Sequence, residues 1–192
     1  GQGGGTAGAD IDAEGAWNIS TGSRNVLVGI IDTGVDFQHP DIAPNYWTNP
    51  GEYGPDGNSG RKENNGLDDD GNGYIDDFRG WDFVRDDNNP NDIDGHGTHV
   101  AGTIGAVGNN HQGVVGVNWQ VSMVALKFME EEKGTTSTAL AALDYATDMH
   151  MNITNNSWGG VASSQAFQDA LIRARNNDLL FVVAAGNSSA DN

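Results

Sequence analysis

The order of apolar segments limits the fold of this chain more than any other feature of its sequence. Short apolar runs indicate strands, and wider apolar spacing indicates helices: strands at 26–31, 121–129, 152–157 and 179–185, helices at 135–150 and 163–176. Short uninterrupted apolar runs are typical of strands that are buried on both faces of a parallel sheet. Strands that alternate with helices predict an α/β fold, with a mostly parallel sheet flanked by helices on both faces.

The predicted strands end in polar residues that could carry chemistry. Functional side chains of such folds gather at the carboxyl ends of the strands. Asp32, Ser157 and Asn187 each follow an apolar run and fall at such an end. We therefore expect a functional site at this edge of the sheet.

Composition narrows the class of protein. Of the 192 residues, 36% are hydrophobic and 19% are charged, which predicts a globular chain of about one domain. The net charge of −18 argues against a nucleic-acid partner, and no apolar run is long enough to span a membrane. The absence of cysteine excludes disulfides and a thiolate nucleophile, and it fits a secreted enzyme.

Much of the negative charge lies in one insertion, residues 45–91, which lacks regular periodicity and is too long for an idle connection. Between Glu52 and Asp94 there are 13 acidic and four basic residues. Such a cluster repels itself unless cations bind it, so the alternatives are a solvated acidic loop and a calcium site.

One stretch of the insertion matches the first nine positions of an EF-hand-like calcium loop, including its glycine. The matching residues are Asp68, Asp70, Asn72, Tyr74 and Asp76. The twelfth position, where a bidentate Glu is expected, is Arg79. We therefore expect another acid to complete the ligand set, either Glu63 or Asp77.

His96 lies between two glycines in DGHGTHVAGT (94–103), at the predicted start of a helix. Histidine titrates near neutral pH and is the usual general base, and flanking glycines permit close approach. Asp32 would be partly buried, and an imidazole N–H is a suitable partner for a buried carboxylate. Taken singly, His96 fits an ordinary glycine-rich turn and Asp32 fits a turn cap.

Four motifs together resemble those of the subtilisin-like serine endopeptidases, the subtilases. They are IIDTGVDFQHPDI (30–42), DGHGTHVAGT (94–103), NNSWGG (155–160) and VVAAGN (182–187), in the family's order. The resemblance implies that Asp32 and His96 are the acid and base of an Asp-His-Ser triad. It implies that Asn187 donates its amide to the oxyanion.

The same resemblance implies sites for substrate and calcium. An extended polypeptide would bind between two segments, Ser157, Trp158 and Gly159 on one side and Ala184, Ala185 and Gly186 on the other. A strong calcium site would use Asp41, Asn110 and the carbonyls of Gly108, Gln112 and Val114. A second would use Asp82, Asp87 and Asn91, although Arg85 stands where another acid is expected.

The family's nucleophilic serine motif does not occur in these residues. We expect residues 1–10 to be an N-terminal extension or an artificial remnant, and 11–192 to be an incomplete peptidase domain whose C-terminal part, carrying the serine, lies outside this chain. Ser157 is a weak alternative nucleophile. We expect a secreted, calcium-stabilised endopeptidase, with its signal and propeptide removed; the alternative is an inactive fragment or pseudoprotease that binds calcium and peptide.

Overall fold

The computed structural model describes residue 6 and residues 8–131, 133–160 and 164–187. Residues 1–5 and 7 of the predicted extension, and Ser163 at the start of the second predicted helix, lie outside the described residues.

Five parallel strands form the central sheet, in the order β2-β3-β1-β6-β7. The strands are β1 (Gly22–Asp32), β2 (Gly80–Asp82), β3 (Gln120–Lys127), β6 (Ile153–Asn156) and β7 (Leu180–Val183). A short antiparallel hairpin consists of β4 (Met129–Glu130) and β5 (Lys133–Gly134). The helices are α1 (Ala13–Trp17), α2 (His96–Gly105), α3 (Thr136–Asp148) and α4 (Gln165–Asn176), with 3₁₀ turns at Ala43–Asn45 and Lys62–Asn64.

Each face of the sheet is covered by helices. On one face, Val124 and Leu126 of β3 belong to a cluster with buried residues of α3 and α4. On the other face, Met123 and Ala125 of the same strand belong to a cluster with Ala101 of α2. Because successive side chains of a strand point to opposite faces, burial on both sides requires an unbroken apolar run. The predicted α/β fold with helices on both faces is confirmed.

Capping hydrogen bonds and single backbone conformations determine where the elements end, and these ends differ from those that the apolar pattern predicted. The predicted helix 135–150 is shorter in the structure because Thr135 is its cap: the Thr135 hydroxyl accepts a hydrogen bond from the Thr138 N–H at 3.1 Å. At the other end, His150 adopts a left-handed backbone with φ 51°. Strand β3 ends at Lys127, before the predicted end at residue 129.

The insertion contains a strand that its sequence did not reveal. Residues Gly80–Asp82 form β2, which pairs in parallel with Ala125 to Lys127 of β3 and becomes one edge of the sheet. Three residues are too few to show alternation, so only the neighbouring strand specifies this element.

The other edge of the sheet is apolar and exposed. Leu180 and Val183 of β7 are 59% and 60% exposed. Among the described residues, β7 pairs only with β6. In the part of the chain that the structure describes, no helix is long and apolar enough to cross a membrane.

Candidate active site

The centre of the site is a pair between Asp32 and His96. Asp32 is the last residue of β1 and is fully buried, whereas the His96 side chain, the first of α2, is half exposed. Imidazole Nδ1 lies 2.7 Å from Asp32 Oδ1, which also accepts the Thr33 N–H at 2.8 Å. Burial raises the pKa of Asp32, while the hydrogen bonds from His96 and Thr33 act in the opposite direction. The carboxylate thus fixes the tautomer of His96 and leaves Nε2 free for chemistry.

Gly97 lets the start of α2 reach the end of β1. A Cβ atom at this position would lie 2.1 Å from the Gly34 carbonyl oxygen. The Gly97 N–H donates to Thr33 Oγ1 at 2.9 Å. The glycine after the histidine therefore permits the close contact that joins the two elements.

A buried carboxylate that the sequence reasoning missed, Asp92, fastens the same junction. Asp92 Oδ1 accepts from Thr33 Oγ1 at 2.9 Å and from the Asp94 and Gly95 N–H groups; its Oδ2 accepts from the N–H and hydroxyl of Thr98 at 2.9 and 2.6 Å. Burial acts to raise the pKa of Asp92, but these hydrogen bonds outweigh it and the pKa is lowered. Asp92 thus joins the loop after Asp32 to the first turn of the His96 helix.

We expect Asp92→Ala to lower the kcat of the full-length protein by roughly 10²-fold with little change in KM, because a small misplacement of a catalytic group has effects of that size. The measurement is peptidase kinetics together with the NMR signal of the His96 Nδ1 proton, which reports the bond to Asp32. Asp94→Ala is the control, since the exposed Asp94 side chain accepts, among the described residues, only the Glu131 N–H. Equal kcat and an unchanged His96 signal in Asp92→Ala would contradict this role.

The predicted substrate-binding residues follow two adjacent strands. Ser157, Trp158 and Gly159 come directly after β6, and Ala184, Ala185 and Gly186 after β7. The segments are joined where the Ala184 N–H donates to the Asn156 carbonyl at 3.1 Å. Trp158 is held by a 2.8 Å bond from its Nε1 to the Ile31 carbonyl. Both segments therefore leave the sheet at the carboxyl ends of its strands, where Asp32 also lies.

Asn187 lies beyond the end of β7 and is exposed. Strand β6 separates β7 from β1, so the carboxyl end of β7 lies on the order of 10 Å across the sheet from Asp32.

No described serine hydroxyl lies within hydrogen-bonding distance of His96 Nε2. Ser157 Oγ, the weak alternative nucleophile, instead accepts the side-chain amide of Asn155 at 2.9 Å.

The predicted strong calcium site is partly assembled. Asp41 is buried, and its carboxylate accepts the Asn110 amide at 2.6 Å and the Val114 N–H at 2.9 Å. Asn110 Oδ1 accepts the Gln112 N–H at 3.1 Å, so these residues form one loop around Asp41. A calcium ion would fit this oxygen-rich loop if the Asn110 amide turned its oxygen inward. Gly108 lies against the Trp119 ring, since a Cβ atom at this position would be 2.1 Å from it. The role of the Gly108 carbonyl stays a prediction.

A lysine side chain lies at the predicted second calcium site. The buried ammonium of Lys127 lies 3.2 Å from Asp82 Oδ2 and 3.5 Å from the Asn91 carbonyl. Asp82 Oδ1 accepts the N–H groups of Val84 and Arg85, and Asp87 Oδ1 accepts that of Asn89. Asp82 thus forms an ion pair with Lys127, and the Asp87 carboxylate accepts a hydrogen bond within its own turn.

The side chains of the predicted EF-hand-like loop have several partners in the structure, and its role as a calcium loop stays a prediction. Asp68 accepts the N–H groups of Gly71, Asn72 and Gly73, and Asp76 accepts those of Asn65 and Gly66. Tyr74 packs its ring edge-on against Tyr145, with centroids 4.9 Å apart. Of the two proposed closing acids, Glu63 pairs with Arg61, whereas Asp77 lies beside Asp70.

Asp92 and Lys127 were missed by the sequence reasoning for a common reason. Each is an ordinary charged residue outside a recognisable ligand spacing, and one partner of each is distant in sequence: Thr33 for Asp92 and Asp82 for Lys127. The one available signal was their type: a charged residue within or beside a structured segment is buried only when paired.

Known proteins resemble this chain over most of its length. It is 36% identical over 173 residues to "Subtilisin-like protease 1" of Plasmodium berghei (strain Anka), covering 89% of this chain and 28% of that protein. It is 32% identical over 179 residues to thermitase of Thermoactinomyces vulgaris, covering 93% of this chain and 53% of thermitase. The chain thus spans about half or less of these relatives.

The fold is also found in a solved structure. Fervidolysin from Fervidobacterium pennivorans, described as a keratinolytic enzyme related to subtilisin, matches 92% of this chain and 23% of its own, with a TM-score of 0.64 and 23% identity. The family model of the subtilases matches residues 23–192. The family match over most of the chain and these two relatives show that the chain belongs to the subtilase family of serine proteases.

Proposed function

We propose that this chain carries the acid, the base and an oxyanion donor of a calcium-stabilised serine endopeptidase. The observation that supports the proposal most directly is the 2.7 Å contact between His96 Nδ1 and the buried Asp32. His96 Nε2 would take the proton of a serine hydroxyl as that oxygen attacks a peptide carbonyl. Asp32 would stabilise the imidazolium, which then gives its proton to the leaving amine.

Asn187 would act on the charge that develops during the attack. Its side-chain amide is exposed beyond β7, at the edge that carries Asp32. A donor aimed at the oxyanion stabilises the tetrahedral intermediate more than the ground state. Water would then release the acyl group, with His96 again acting as base.

Residues 157–159 and 184–186 would hold an extended polypeptide substrate. Main-chain hydrogen bonds would supply the affinity, and pockets for alternate side chains the specificity. The Trp158 bond to Ile31 supports this role because it anchors one wall to the strand that ends in Asp32.

We place the nucleophilic serine outside residues 1–192. The half-exposed His96 supports this placement, since no serine among the described residues offers a hydroxyl to its Nε2. The exposed apolar edge of β7 also supports it, because it suits packing by further polypeptide. We also propose a secreted protein, because calcium levels outside cells keep even weak sites filled. Calcium at Asp41 would join its loop to Asn110 and neutralise a buried carboxylate.

The experiment is labelling of the full-length protein with a fluorophosphonate probe, followed by mass mapping of the labelled peptide. We expect a single labelled serine outside residues 1–192, and no label when His96 is replaced by Ala. Labelling within residues 1–192, at Ser157 above all, would refute the placement of the nucleophile. An unlabelled protein that still binds calcium and peptide would instead be a pseudoprotease.

A further inference from the structure

Three carboxylates meet inside the acidic insertion. One oxygen from each of Glu52, Asp70 and Asp77 lies within 4.8 Å of the others. Glu52 and Asp77 are fully buried, and no Lys or Arg among the described residues forms an ion pair with any of the three. Carboxylates this close repel each other strongly unless a cation lies between them.

Glu52 provides an independent indication of a ligand. Its Oε1 accepts the N–H groups of Asp69 and Asp70 at 2.5 and 2.9 Å, so the side chain is fixed in place. Its Oε2 is buried and has no hydrogen-bond partner among the described residues. An unsatisfied buried carboxylate oxygen is costly, and a bound cation would remove that cost.

Two side-chain amides also lie at the site. The Asn49 amide nitrogen donates to Asp70 and Asp77 at 2.9 Å each, and the Asn72 amide nitrogen donates to Asp77 Oδ2 at 2.9 Å. Rotation of either amide would present its oxygen to a cation and would release the backbone N–H that this oxygen now accepts, that of Gly51 for Asn49 and that of Tyr74 for Asn72. Three carboxylates with one or two amide oxygens and water match the coordination that calcium prefers. The backbone is close-packed here, since a Cβ at Gly51 would lie 2.5 Å from the Asp70 side chain.

Asp77 connects this cluster to the core of the domain. Tyr145, a buried residue of α3, donates its hydroxyl to Asp77 Oδ2 at 2.5 Å. Its ring also lies against Tyr74 and Phe83, with edge-to-face centroid distances of 4.9 and 5.9 Å. A cation at Asp77 would therefore fix the insertion against α3 and not only against itself.

We propose that Glu52, Asp70 and Asp77 form a calcium-type divalent-cation site that fastens the acidic insertion to helix α3. This ligand set departs from EF-hand spacing: Glu52 comes from outside the loop, and Asp68 and Asp76 are not part of the cluster. The site is separate from the serine chemistry and from the Asp41 loop, so it can fail or hold independently of the peptidase proposal.

The test compares Glu52→Gln with Glu63→Gln in the full-length protein, each carrying Asp32→Asn to prevent self-digestion. Glutamine keeps the Oε1 acceptor for Asp69 and Asp70 and removes the charge and the unpaired oxygen. Glu63→Gln is matched in chemistry and lies in the same insertion, but its carboxylate pairs with Arg61. The readouts are calcium stoichiometry by calorimetry, terbium emission excited through Tyr145, and the melting temperature with calcium or with excess chelator.

We expect Glu52→Gln to lose one bound calcium, the terbium emission and part of the calcium-induced rise in melting temperature, while Glu63→Gln keeps all three. In chelator, Glu52→Gln should melt no lower than the parent, which shows that it folds. Asp41→Asn should remove a different ion. Unchanged stoichiometry and emission in Glu52→Gln, or their loss in Glu63→Gln, would overturn the proposal.

Discussion

Asp32→Asn should lower the kcat of the full-length protein by about 10⁴-fold, a loss of the size known from the aspartates of other triads, subtilisin's included. The Asn amide would face the imidazole across the present 2.7 Å contact. An amide N–H cannot accept the Nδ1 proton, so His96 would keep that proton on Nε2 and could not act as base. The proposed substrate contacts at residues 157–159 and 184–186 would be unaffected, so KM should change little.

Asp36→Asn is the control for this substitution. Asp36 lies four residues further along the same loop and loses the same charge, but in the part of the chain that the structure describes its side chain accepts only the Gln38 N–H. We expect its kcat to stay near that of the parent. The kinetics are measured with a peptide substrate at saturating and limiting concentrations. A kcat for Asp32→Asn within tenfold of the parent would show that His96 is oriented by another group.

The fold was predictable because both faces of its sheet are buried. Val124 and Leu126 face one cluster and Met123 and Ala125 the other, so the strand leaves an apolar run in the sequence. Strand β2 left no such trace, because three residues beside an acidic loop become a strand only when β3 offers a partner. Element ends were imprecise because caps such as Thr135 depend on single hydrogen bonds.

The sequence predicted those residues of the candidate active site that occupy fixed places in a motif. Asp32 and His96 are 64 residues apart in sequence, and their positions at a strand end and a helix start singled them out only together with the resemblance of four motifs to those of the subtilases. Asp92, Glu52 and Lys127 could not be found in this way. Their roles arise from burial beside partners that the chain brings together only in three dimensions, and any acidic loop offers many similar residues.

Lys127 shows most clearly how the tertiary context changed an expectation. In the register of the sheet it is paired with Asp32 of β1 on one side and with Asp82 of β2 on the other. Its ammonium is buried and contacts Asp82 and, at 3.4 Å, Glu130, which also pairs with Arg85. A cation supplied by the chain therefore lies beside Asp82, where the resemblance implied calcium.

Lys127→Met should reduce the free energy of unfolding by about 3–5 kcal/mol, because it leaves the buried Asp82 carboxylate without its cation. Asp82→Asn added to Lys127→Met should recover much of this loss, since Asn keeps an acceptor for the Val84 and Arg85 N–H groups. The measurement is urea unfolding followed by tryptophan fluorescence, in the full-length protein carrying Asp32→Asn.

Two comparisons decide whether the effect belongs to the buried pair. Lys133→Met removes an exposed lysine that is 3.6 Å from the exposed Glu131, and it should change the free energy by less than about 0.5 kcal/mol. Calcium should stabilise Lys127→Met more than it stabilises the parent, because removal of the ammonium frees Asp82 to bind a divalent ion. If Lys127→Met unfolds like Lys133→Met, or if the double variant shows no recovery, then Asp82 does not depend on the lysine and the chain-supplied cation has no stabilising role.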